Sequence, residues 1–210
     1  MAYKTHRNGG GLVEDTAYVA KTAYVAKYAV VYDKARVLDN ARIENFARIY
    51  GNALIFETAK VYGCAHVYGT ALVNGNAEVY GYAHVCGSAE VVGDAKVCGN
   101  AKVYGNALVA SNAEVWGDAH VYDNAKVHGD AEVYGNAKVY GSALVWGQAE
   151  VYDNSQVYDD ARVSDRAHVL DNAKVYGEAN VSGDAYVCDS AELYDYEEVV
   201  SLVRVDDRTE

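Results

Sequence analysis

Val133-Tyr134-Gly135-Asn136-Ala137-Lys138 is one copy of a phrase that fills most of this 210-residue chain; residues 103–108, VYGNAL, are another. Ala stands at every sixth position from Ala17 to Ala191, thirty positions in phase, broken once by Ser155. An aliphatic follows two residues after each, from Val19 through Val187 to Leu193, and no insertion shifts the frame. So short a fixed period makes stacked coils, each touching only its neighbours. It leaves almost no loop on which an enzyme could assemble an active site.

The aliphatic never becomes polar, so it points inward. Alternation along an extended segment turns its two neighbours outward. The position two after the aliphatic is Gly sixteen times, Asp nine times and Asn once. These residues best tolerate left-handed backbone, which marks a corner. Taken every eighteen residues, the outward position after the aliphatic reads Tyr32, Tyr50, Tyr68, Cys86, Tyr104, Tyr122, Tyr140, Tyr158, Tyr176 and Tyr194. Periods of twelve or twenty-four give mixed columns. The repeat therefore predicts an all-β, single-domain triangular prism with three hexads per coil. Ten coils at strand spacing make a rod about 48 Å long.

Composition agrees with one solenoid. Proline is absent, as suits a chain whose amides donate to neighbouring coils. No apolar run is long enough for a membrane span, and the start, MAYKTHRNGGG, has no signal-like stretch. The net charge of −12 is uneven. Residues 1–60 carry nine Lys/Arg against six Asp/Glu, and residues 151–210 carry five against fifteen. Two ends of opposite sign suit head-to-tail attraction; acids at one end equally suit gatekeeping against stacking, or a decoy for a basic partner.

The pattern of an aliphatic, then a small residue four positions on, resembles the left-handed parallel β-helix of hexapeptide-repeat proteins. The resemblance covers residues 13–195. Within that family, Gly10-Gly11-Leu12-Val13 looks most like the opening of bacterial and phage hexapeptide proteins often labelled acyltransferases. The left hand of the helix comes only from the resemblance. The expected organisation is an N-terminal cap segment over 1–12, the β-helix over 13–195, and a tail or imperfect last coil over 196–210. Neither end reads as an amphipathic capping helix.

Three faces follow. The first carries the Tyr column, flanked by Arg48, His66, His84, Lys102, His120, Lys138, Gln156 and Lys174. Aromatics beside cations suit a self-stabilising ladder, self-association, or an acidic polysaccharide; overall acidity counts against nucleic acid. The second carries Tyr62, Tyr80, Cys98, Trp116, Tyr134, Tyr152 and Leu170 beside Lys60, Glu78, Lys96, Glu114, Glu132, Glu150 and His168, and reads as ordinary sheet surface. The third is apolar where polar residues are expected: Leu54, Phe56, Leu72, Val92, Leu108, Leu144 and Trp146. A partner, or the tail folding back, is expected to cover it.

Chemistry is sparse. Cys64, Cys86, Cys98 and Cys188 fall too far apart to pair, which suits free thiols and a cytoplasmic location. No CxxC pair is present, and neither a metal nor a cofactor is expected. The hexapeptide resemblance offers His66, His84 and His120 as catalytic candidates at a subunit interface, but no carboxylate stands beside them and no loop completes a site. The reading is a non-catalytic structural or interaction protein: a rigid rod that self-associates, as a closed oligomer or a filament, or presents a flat face to a partner protein. A hexapeptide-type acyltransferase is the alternative.

Overall fold

The computed structural model describes residues 2–201 and 203–206 and is a parallel β-solenoid with eighteen residues per turn. Each hexad gives a two-residue strand, the residue before the aliphatic and the aliphatic itself, as in Lys102–Val103 and Lys138–Val139. Each strand pairs in parallel with the strand eighteen residues on: His66 with His84 and Val67 with Val85, for instance. Every third strand therefore joins the same sheet. The three sheets hold twelve, eleven and eleven strands.

Small residues make the interior possible. From Ala23 to Ala185 every inward Ala and aliphatic is fully buried. Ile43, Ile49 and Ile55 occupy three consecutive hexads, one on each sheet, so one layer of the prism is filled by larger side chains. Ser155, the one departure from Ala, is also fully buried. Its hydroxyl lies 2.7 Å from the Tyr152 carbonyl and 3.0 Å from the Val169 carbonyl, so the proton always has an acceptor.

Most corners close by a hydrogen bond from the inward residue to the carbonyl three positions back, as Ala137 N–H to Tyr134 O at 3.3 Å. The residue opening the corner has a positive φ: 66 to 77° at the Gly corners and 51 to 59° at the Asp corners. Asp does more than tolerate that backbone. Its carboxylate accepts the amide proton of the next coil's corner: Asp33 from Gly51 at 3.0 Å, Asp165 from Gly183 at 3.0 Å and Asp171 from Asp189 at 3.0 Å. Much of the acidity of the last third thus has a local structural use.

The ends differ. Tyr3–Thr5 runs antiparallel to Leu12–Glu14 and covers the outer edge of the first sheet. Asn8–Gly11 then crosses below Tyr24–Val25, with Gly11 N–H donating to Val25 O at 2.8 Å and Val25 N–H to Asn8 O at 3.0 Å. A Cβ on Gly11 would fall inside the Val25 side chain, which explains glycine there. The third sheet begins with Tyr18–Val19 and has no such cover among the described residues. At the other end, Glu198–Val199 pairs with Asn180–Val181 and Arg204–Val205 with Tyr186–Val187. Of the two alternatives for the tail, its described part continues the coil, with Val199 and Val205 in the hexad frame, rather than folding back over the third face. Residues 202 and 207–210 of the expected tail lie outside the described residues. Among the described residues no helix is long and apolar enough to cross a membrane.

Candidate functional site

The first face is a stack of rings. Strand pairing holds consecutive Tyr residues one coil apart, and their rings lie nearly parallel. Tyr32, Tyr50 and Tyr68 form one run, with centroids 4.8 Å apart at both steps. Tyr104, Tyr122, Tyr140, Tyr158 and Tyr176 form a second, at 4.8 to 4.9 Å and within 4°. Tyr194 joins less well, at 5.6 Å and 22°. Stacked pairs of this kind add about 0.5–1.5 kcal/mol each beyond burial. The rings reach sideways over the flanking column: Tyr140 Oη donates to Gln156 Oε1 at 3.3 Å and Tyr176 Oη to Glu192 Oε2 at 3.4 Å. Burial discourages a buried phenolate, and with help from Tyr140 and Tyr104 it pushes the Tyr122 pKa up to about 12.

A second ladder stands where ordinary surface is expected. Tyr62 stacks on Tyr80 at 4.8 Å, and Trp116, Tyr134 and Tyr152 stack at 4.3 and 4.8 Å. Tyr62 Oη donates to Glu78 Oε2 at 2.9 Å and Tyr134 Oη to Glu150 Oε2 at 2.8 Å; burial first, then these carboxylates, raises both phenols. Lys60 bridges to Glu78 at 2.8 Å and Lys96 to Glu114 at 2.7 Å. The signal was available in the sequence, since these aromatics recur at the same eighteen-residue step. His168 stacks on Tyr186 at 4.5 Å. Its Nδ1 lies 3.8 Å from Glu150 Oε2, close enough to attract when protonated but too long for a hydrogen bond.

Of the three candidate histidines, the structure joins two. His66 and His84 stack at 5.0 Å, whereas Lys102 separates His84 from His120. Burial lowers the pKa of all three. His84 and Arg48 add to the effect at His66, Lys102 at His84, and Lys102 with Lys138 at His120. Their neighbours are mainly rings and cations, with Asp118 acting in the opposite sense at His120. Among the described residues none of the three imidazoles makes a side-chain hydrogen bond that would orient it as a general base.

On the third face Leu54 and Leu72 are cross-strand neighbours, but Glu90 separates Leu72 from Leu108 and Lys126 separates Leu108 from Leu144. Phe56, Val92 and Trp146 are half-buried, with Asn74 and Ala110 between them; Trp146 stacks on His128 at 6.2 Å. The most exposed aromatics of the prism body stand at a corner instead. Tyr28 and Phe46 stack at 5.4 Å, and Tyr82 is 65% exposed.

All four thiols are free. Cys188, in the same outward column as Cys98, is buried because Val205 of the last coil lies over it, with Sγ 3.6 Å from the Val205 carbonyl. Burial pushes that thiol up. Among the described residues no three His, Cys, Asp or Glu side chains gather in a way that could hold a metal. A shallow cleft of about 530 Å³ at the N-terminal end is lined by Lys4, His6, Arg7 and Lys21 beside the uncovered Val19 strand. No protein-family model matches the chain, and no curated protein matches it.

Proposed function

We propose that this chain is a non-catalytic structural or interaction rod of the hexapeptide-repeat kind that associates with itself through its flat sides, or offers its aromatic face to a partner protein. The observation that carries the reading is the unbroken eighteen-residue register over every coil, which keeps the faces flat and free of inserted loops. Flat sheets with apolar and aromatic side chains suit broad, side-by-side contact. Cover over two of the three sheet edges at the N-terminal end favours such contact over end-on growth. Free thiols on a half-buried surface fit a reducing compartment such as the cytoplasm.

A mass measurement in solution, coupled to negative-stain imaging, tests this. The expected result is a closed oligomer or laterally paired rods. Replacing Leu72 and Leu108 together by Lys should lower the mass at a given concentration. A rod that stays single at high concentration, with and without both substitutions, would remove self-association and leave only a partner protein.

A further inference from the structure

Both ring ladders lose one rung, and they lose it within twelve residues of each other. The first reads Tyr68, Cys86, Tyr104; the second reads Tyr80, Cys98, Trp116. The rings beside the first gap keep the ladder's geometry. Tyr50 and Tyr68 stack at 4.8 Å and 1°, and so do Tyr104 and Tyr122. Tyr68 meets His84 edge-on at 6.2 Å, as Tyr50 meets His66 at 6.0 Å and Tyr104 meets His120 at 6.1 Å. No neighbouring ring has swung into the gap.

The opening has a definite size. Two coils separate Tyr68 from Tyr104, which at the ladder's 4.8 Å step is about 9.6 Å between centroids. A ring placed midway would lie about 4.8 Å from each, within stacking range. Cys86 leaves only a short, half-buried thiol at the base. Elsewhere in this column a ring directs its polar end at the side chain sixteen residues on, Gln156 for Tyr140 and Glu192 for Tyr176. For a ring in the Cys86 rung that side chain is Lys102, which is exposed and takes part in no ion pair among the described residues. The second gap differs here. Its corresponding side chain is Glu114, already 2.7 Å from Lys96.

We propose that the Cys86 rung is a binding slot for a monocyclic aromatic acid, its ring held between Tyr68 and Tyr104 and its anionic group on Lys102 Nζ. Stacking needs a planar ring, and the cation selects the acid. The slot does not depend on self-association.

Binding of 4-hydroxyphenylacetate, followed by ligand-observed NMR and titration calorimetry, tests it, with cyclohexylacetate as the aliphatic control. The aromatic acid should bind at least tenfold tighter than the control. Cys86→Tyr restores the missing ring and should abolish binding. Cys86→Ala keeps the slot and should bind as the wild type, which separates a stacked slot from thiol chemistry. Lys102→Ala should weaken binding at least fivefold, and Cys98→Tyr should leave it unchanged. Should Cys86→Tyr fail to fold, the remaining variants and the resonances of Tyr68 and Tyr104 on titration still decide. Equal binding of the two acids, retained binding in folded Cys86→Tyr, or loss in Cys98→Tyr overturns the proposal. So does a result in which neither acid binds while Cys86→Tyr lowers the mass of an assembly, because the slot would then hold a ring of a second copy.

Discussion

A single corner residue faces two demands: a left-handed φ, and a backbone one coil away that leaves little room. At Gly81, where φ is 71°, a Cβ would stand 2.9 Å from the Gly99 carbonyl oxygen. The Asp corners meet the same demands by relaxing φ to between 51 and 59° and accepting the next corner's amide proton. Ala can relax in the same way but offers no acceptor. Gly81→Asp should therefore cost less than Gly81→Ala, by about 1 kcal/mol, the usual worth of one such hydrogen bond. Urea unfolding of the two variants checks this, and equal midpoints would show that strain alone governs the corner. Inward positions obey size instead. Ala101→Val should destabilise by about 1–3 kcal/mol, because a closed layer has no space for added methyls.

Along a whole column, those local choices become ladders that respond to pH from both sides. The stacked phenols have folded pKa values raised above 10.0, to about 12 at Tyr68, Tyr80 and Tyr122. The folded state favours the neutral ring, so its stabilisation is complete below pH 10 and is lost as the pH rises towards 12. Absorbance at 295 nm should show a late-titrating class of tyrosines whose ionisation coincides with unfolding. The histidines act at the other side. His66, His84 and His120 have pKa values lowered from 6.5, so their contribution is present above pH 6.5 and is lost as the pH falls below it. Replacing all three by Gln should flatten the fall in melting temperature between pH 6.5 and 5; an unchanged slope would show that the imidazoles are indifferent. How much of this was legible in the sequence depended on whether a signal was periodic. The eighteen-residue coil and the Tyr32–Tyr194 column are properties of spacing, and spacing is what parallel in-register pairing preserves. The Tyr62–Tyr152 ladder obeys the same step, yet the Lys and Glu beside it drew the reading towards ordinary surface. The corner carboxylate-to-amide bonds and the lid of Val205 over Cys188 depend on where side chains turn after the backbone is placed, and spacing does not encode that.

For the rod as a whole the decisive features are its ends, since a solenoid extends wherever an unpaired edge meets another. Here the N-terminal segment covers two sheets. Tyr3–Thr5 pairs with Leu12–Glu14, and Asn8–Gly11 takes the free groups of Val25. At this end, among the described residues, only Tyr18–Val19 keeps an open edge, bordered by Lys4, His6, Arg7 and Lys21. Head-to-tail stacking of intact rods must displace that cover, so charge attraction between a basic start and an acidic end does not suffice. Removing residues 2–11 exposes the edges of Leu12–Glu14 and Tyr24–Val25 together with the third. The shortened chain should grow in mass with concentration by light scattering and give end-joined rods under negative stain, while the intact chain does not lengthen. Salt separates the two forces. Charge attraction is screened beyond about 10 Å at 0.1 M, whereas backbone pairing across a formed joint is short-ranged. Raising salt should therefore slow the growth of the shortened chain more than it dissolves finished assemblies. A shortened chain that remains folded, single and concentration-independent would show that the N-terminal segment is not what holds rods apart, and would leave the Asp-rich last coils as the barrier.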